Sequence, residues 1–249
     1  YVRPAWELSY GRNDARAVAE VLRDRGARLF ADVTAITLLD SDARAAAIKG
    51  RIAGESVASQ DVLVLYFSGH GVALQEEGSW EWYLLPFTEA WDVAGDVTAS
   101  MVRQHGVSSR DLMRLLIQTQ ASRVFLILDS CRSGAVADAL GQGMFDEAVG
   151  QKALRRIARV GGIHILAASR GNEDAVELVS RPHGALTYLL LEGLQGEADS
   201  DSDGEISVRE IVAYATREMP LLSRRLVAET ISQLPVGYSR GADFALVDR

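Results

Sequence analysis

Three short apolar runs constrain this chain more than any other feature: Val62–Phe67 (VLVLYF), Val124–Leu128 (VFLIL) and Ile163–Ala168 (IHILAA). A strand with one wet face alternates apolar and polar residues, whereas a continuous run belongs to a strand covered on both faces. Such runs belong to an α/β architecture, a mostly parallel central sheet with helices on both faces. The stretches between them agree. Asp14–Arg25 carries apolar residues at helical spacing, Ile36–Leu39 reads as a strand, and Ser41–Ile52 returns to helix with Ser41 as its N-cap. A helix from Ser108 or Ser109 to Ile117 feeds the second run, Phe145–Val160 is amphipathic, Gly184–Leu194 and Ser207–Arg217 are further helices, and Phe244–Val247 is a last strand. The connection Ala73–Val107, with Trp80, Trp82 and Trp91, is long enough to be a lid or binding loop, or a cover for the sheet edge.

Two of the runs end on reactive side chains. VLVLYFSGHG leads to His70 and VFLILDSCRSG to Cys131. Open α/β sheets assemble their sites at strand carboxyl ends, so the two form a candidate thiol–imidazole dyad. The thiolate is the nucleophile, and a free thiol of pKa about 8.5 is mostly protonated near neutrality. A neighbouring imidazole takes the thiol proton and later protonates the leaving amine. Gly69, Gly71 and Gly134 permit tight turns, and the main-chain N–H groups of Gly71 and Cys131 are candidates to hold a developing oxyanion. A lone buried cysteine is commonly only a small core residue, but one paired with a histidine beside glycine turns points to catalysis. His164, inside a strand, reads as core; His105 and His183 lie in polar loop sequence with no cluster to suggest metal ligation.

SGHG followed by DSCRSG resembles the caspase and metacaspase cysteine peptidases. The likeness extends to Asn13-Asp14-Ala15 opening a helix, Tyr83-Leu84-Leu85-Pro86 after the histidine motif, Ala167-Ala168-Ser169 and the closing Gln233-Leu234-Pro235, all similar to bacterial members. The resemblance implies a caspase-like (caspase–haemoglobinase) fold and a cysteine endopeptidase, with Cys131 as nucleophile and His70 as general acid/base. It also implies a regulatory or defence protease, antiviral defence included, rather than a digestive one. Animal caspases that cut after aspartate carry glutamine two residues before the nucleophile; metacaspases carry aspartate, as this chain does at Asp129. By the same resemblance Asp14 and Ser68 line that pocket with Asp129. Two carboxylates and a hydroxyl suit a basic residue before the cleaved bond, and the planar guanidinium of Arg is favoured over Lys. Glu173 and Asp174 are further candidates. The alternative is a non-catalytic caspase-like module whose groove binds partners without cleaving them.

Composition fits one domain spanning residues 1–249: 48% of residues are hydrophobic, 24% charged, and no apolar run nears the length of a membrane span. The net charge of −8 argues against a nucleic-acid surface and is compatible with basic peptide substrates. The single cysteine excludes an internal disulfide and suits a reducing cytoplasm. Caspase-like folds begin with a central strand, yet only Tyr1–Arg12 precede the Asn-Asp-Ala helix. The expectation is that the first strand lies upstream and that some segment or domain completes the sheet. For self-processing, no Lys or Arg lies between Ser133 and Gln151, leaving Arg103 and Arg170 as candidate cleavage points. The chemistry requires no cofactor. One motif nonetheless suggests calcium: in DSDSDGEISVRE, Asp199, Asp201, Asp203, Gly204, Ile206 and Glu210 match EF-hand loop spacing, with the Glu205 carbonyl and Ser207 as further ligands. The competing reading is an acidic surface turn between two helices.

Overall fold

The computed structural model describes residues 8–77, 79–92, 97–132, 163–168, 178, 182–226, 234–239 and 241–249, with backbone alone for 79, 131, 132 and 223–226. The chain order is α1 (Gly11–Gly26), α2 (Ala45–Gly54), β1 (Val62–Glu76), β2 (Ser79–Leu85), α3 (Ala99–His105), β3 (Val107–Ser108), α4 (Ser109–Gln118), β4 (Arg123–Arg132), β5 (Ile163–Ala167), α5 (Ala185–Glu192), β6 (Glu205–Ser207), α6 (Val208–Leu226), β7 (Val236–Ser239) and β8 (Ala245–Asp248). Among the described residues the main sheet runs β3-β2-β1-β4-β5-β7, and β6 pairs with β8 in a separate ribbon. The three apolar runs form its parallel centre, β1 against β4 and β4 against β5.

Strand alternation decides which helices each face receives. Phe125 and Ile127 of β4 and Leu166 of β5 join the core built with Val18 of α1, Leu186 and Leu190 of α5, and Ile211 and Ala215 of α6. Their neighbours Val124, Leu126, Leu128, Ile163 and Ile165 join Ile52 of α2 and Leu112 and Leu116 of α4 on the opposite face. Both faces are covered, which is why these strands lack polar alternation. Truncating a fully buried side chain such as Phe125 to Ala costs about 3–5 kcal/mol.

The edges correct several sequence expectations. The histidine run does not stop at Phe67: β1 continues to Glu76 and folds back as a hairpin with β2, so His70 lies inside a strand. The expected long loop after Ala73 is largely structured. Trp91 is buried with its Nε1 donating to the Pro86 carbonyl at 2.8 Å, and Val97 and Val102 pack with it against Leu74 and Leu85. Glu81 of β2 ties the hairpin to α4: it is buried and accepts from Ser109 Oγ at 2.7 Å and from the Arg110 backbone N–H at the helix start.

Ser41 does not cap α2. A short turn at Asp40–Asp42 intervenes, the helix begins after Arg44, and the Arg44 Nε donates to the Ser41 carbonyl. α4 does begin as expected, with Ser108 Oγ accepting from the Asp111 N–H at 3.0 Å. Ile36–Leu39 is not a strand. It has no ladder partner among the described residues, and Ile36 is exposed. Facing it, β1 pairs with β4 from Val62 to Gly71 but with β2 only from His70 onward. The other edge of Val62–Gly69 therefore has no strand beside it among the described residues. A groove of about 1250 Å³ lies there, lined by Leu8, Ile36, Leu38, Val64, Tyr66 and Phe67 among others. The amphipathic stretch Phe145–Val160 and the small-residue segment before it lie outside the described residues. Within those residues no helix is long and apolar enough to cross a membrane.

Candidate active site

The parallel ladder between β1 and β4 aligns the two motifs residue by residue: Tyr66 with Ile127, Ser68 with Asp129, His70 with Cys131, and Gly71 with Arg132. Paired strands lie about 4.8 Å apart, so the backbone holds positions 70 and 131 side by side. His70 is 4% exposed. Gly71, next along β1, sits under the Trp82 indole, where a Cβ would fall 2.4 Å from Trp82 Cζ2. Only glycine fits unless the ring moves, and the ring belongs to the strand paired across from it.

Two positions back along the same ladder are the acidic and hydroxyl residues. Asp14 of α1 and Asp129 of β4 are 2% and 6% exposed, and Ser68 Oγ faces the start of α1 at Gly11. The structure thus brings together Asp14, Ser68 and Asp129. Their link is the start of α5. A Cβ on Gly184 would lie 3.1 Å from Asp129 Oδ2 and 3.4 Å from Asp14 Oδ2, so this glycine separates the two carboxylates and leaves no room for a side chain without displacing one.

Sequence reasoning missed the residues that hold these acids. His183 Nδ1 is 2.7 Å from Asp14 Oδ1, and the Gly184 N–H donates to Asp14 Oδ2 at 3.2 Å. Thr187 donates to Asp129 Oδ2 from both its backbone N–H and its hydroxyl, and its hydroxyl also meets Tyr66 OH at 2.6 Å. His183 lies in a loop, as its sequence suggests, and meets Asp14, far away in sequence and adjacent in space. His164 is core as expected, fully buried, with Nε2 3.2 Å from the Ala242 carbonyl oxygen. His105 stands edge-on to Trp91.

Electrostatically the pocket is under strain. Burial, joined by the nearby Asp14 charge and opposed by the Thr187 hydrogen bonds, pushes the Asp129 carboxyl up to about 6. Among the described residues no Lys or Arg lies within ion-pair distance of Asp129. Burial, with both carboxylates beside it, also holds the Tyr66 phenol well above its ordinary value, so it remains a hydrogen-bond donor. A ligand cation between the carboxylates would relieve this strain.

The Arg103 cleavage candidate lies within α3, with Nε 2.7 Å from Glu76 Oε1, not in the loop its sequence suggests, so cleavage there requires the helix to open. Arg170, Glu173 and Asp174 lie outside the described residues.

No curated protein matches the chain. A family model does. The peptidase family model described as the caspase domain matches residues 3–241, nearly the whole chain, and its α/β architecture is the one the sheet and its helices display. The chain therefore belongs to the caspase-domain family of cysteine peptidases.

Proposed function

We propose that this protein is a cysteine endopeptidase that cleaves after basic residues, Arg before Lys, with Cys131 as nucleophile and His70 as general acid/base. The single observation that carries the reading is the His70–Cys131 register, with Ser68 and Asp129 paired two positions earlier and Asp14 beside them. In the reaction His70 takes the Cys131 proton and the thiolate attacks the scissile carbonyl carbon. The C–N bond then breaks as the imidazolium protonates the leaving amine, and water hydrolyses the thioester. The N–H groups of Gly71 and Cys131 are assigned to the developing oxyanion.

Asp14 and Asp129 are assigned to the substrate guanidinium, with Ser68 as a further acceptor. A guanidinium presents a planar fork of donors to two carboxylates, whereas an ammonium reaches them as a point charge, hence the preference for Arg. We further read residues 1–249 as one peptidase domain of a bacterial regulatory or defence protease working in a reducing cytoplasm. In this reading a further strand adds along the edge of β1 that has no neighbour among the described residues.

The test is turnover of a peptide panel by wild type and Cys131→Ala, which separates the protease from a non-catalytic caspase-like binding module. Cleavage after Arg that vanishes in the variant supports the proposal. Indistinguishable turnover by the two proteins overturns it.

A further inference from the structure

We infer that the loop between α5 and α6 is a calcium-binding site, formed by Asp199, Asp201 and Asp203 with the Glu205 carbonyl, Ser207 and Glu210. The peptidase chemistry above makes no use of this loop.

Spacing alone would not carry the inference, since acidic turns are common on surfaces. The observation that does is the state of Asp199. Its side chain is 1% exposed, yet among the described residues Oδ1 is buried with no hydrogen-bond partner, while Oδ2 meets the Arg249 Nη1 at 3.4 Å. A buried carboxylate oxygen without a donor is strongly unfavourable unless a cation meets it. One carboxylate oxygen from each of Asp199, Asp201 and Asp203 lies within 4.8 Å of the other two. Calcium takes oxygen at about 2.3–2.6 Å, so oxygens up to about twice that distance apart can share one ion.

The rest of the loop is arranged compatibly. Asp201 and Asp203 each spend one oxygen on a loop N–H, from Asp203 at 3.2 Å and Glu205 at 2.8 Å, and keep the other for a ligand. Glu210 reaches back from the first turn of α6: Oε1 accepts from the Ser200 N–H and hydroxyl, and Oε2 from the Ser207 N–H. It is thereby held at the loop, where the twelfth position supplies a bidentate carboxylate. Gly204, at the sixth position, has φ of 89°, which an L side chain rarely adopts. Ile206 is fully buried, and β6 around it pairs with β8, fixing the loop's second half to the core. With four carboxylates and a carbonyl, the donor set is all oxygen and strongly anionic. That favours calcium over magnesium, which retains water and demands a tight octahedron.

The experiment uses the full chain, stripped with chelator, then followed by calorimetric titration with calcium chloride and by thermal unfolding in calcium chloride, magnesium chloride or chelator. Saturation a hundredfold above the dissociation constant should raise Tm by about 5–10 °C, with one ion bound per chain and a smaller response to magnesium. Asp203→Ala, at an exposed position that leaves the core untouched, removes a ligand oxygen and should lose the heat of binding and the Tm rise while unfolding normally in chelator. Asp199→Asn, at the first ligand position, should also lose the response. A Tm that is the same in calcium and chelator, with no heat on titration, overturns the assignment, as does a full calcium response in Asp203→Ala.

Discussion

Asp129→Asn separates the cost of the pocket from its use. The buried carboxyl titrates at about 6 against an ordinary 3.8, so its protonated form favours the folded state. The associated stability is complete below the unfolded pKa and is lost as pH rises through the folded value. Each pH unit separating the two values is worth about 1.36 kcal/mol, which makes the full difference about 3 kcal/mol, and about 2 kcal/mol of it falls between pH 4.5 and 8. Asparagine is neutral throughout and escapes the loss. Both Thr187 bonds go to the one oxygen Oδ2, and the amide oxygen of Asn, with two lone pairs, can accept both in its place. The variant should therefore gain on wild type by about 2 kcal/mol from pH 4.5 to pH 8, moving the Tm difference by about 4–8 °C in its favour. Cleavage after Arg should meanwhile fall at least about a hundredfold, since removing one partner of a buried charge pair costs about 3–5 kcal/mol. Thermal unfolding across pH and kcat/KM on an Arg peptide measure both. A Tm difference flat with pH, or Arg cleavage unchanged, refutes the reasoning.

Other outcomes follow from the same geometry. Binding of benzamidine, an Arg-like probe, to Cys131→Ala should weaken by about tenfold per pH unit below 6, because the cation needs Asp129 ionised; a titration series checks this. Thr187→Val removes a bond that lowers the Asp129 pKa, so the acid limb of that profile should move to higher pH, with a stability loss of about 1–3 kcal/mol in denaturant melts. Gly71→Ala forces the Trp82 indole aside and should cut kcat on any good substrate by an order of magnitude or more, with folding checked by circular dichroism.

The sequence disclosed what is local. SGHG and DSCR each lie on one strand, and the uninterrupted runs VLVLYF and VFLIL mark strands covered on both faces, so the candidate dyad positions and the parallel centre of the sheet could be read directly. Where β1 ends could not: its continuation to Glu76 depends on pairing with β2, a tertiary contact that outweighs the local glycine signal. Ile36–Leu39 has strand composition but no partner among the described residues, and β propensity without a neighbour forms no ladder. β7 was missed because VGYS is short and only half-buried at an edge. His183 and Thr187 meet Asp14 and Asp129 across large sequence separations. The one hint was a helix beginning with glycine and carrying a threonine in its first turn, as anion-binding helix starts do.

The most direct measurement is labelling with a peptidyl-Arg chloromethylketone, followed by mass spectrometry of the digested protein, in wild type and His70→Ala, beside a peptidyl-Asp reagent of the same length. The account predicts a single adduct on Cys131, formed much faster with the Arg reagent than with the Asp reagent and strongly slowed without His70. Faster labelling by the Asp reagent, or Cys131 labelling at the same rate in His70→Ala, would contradict it.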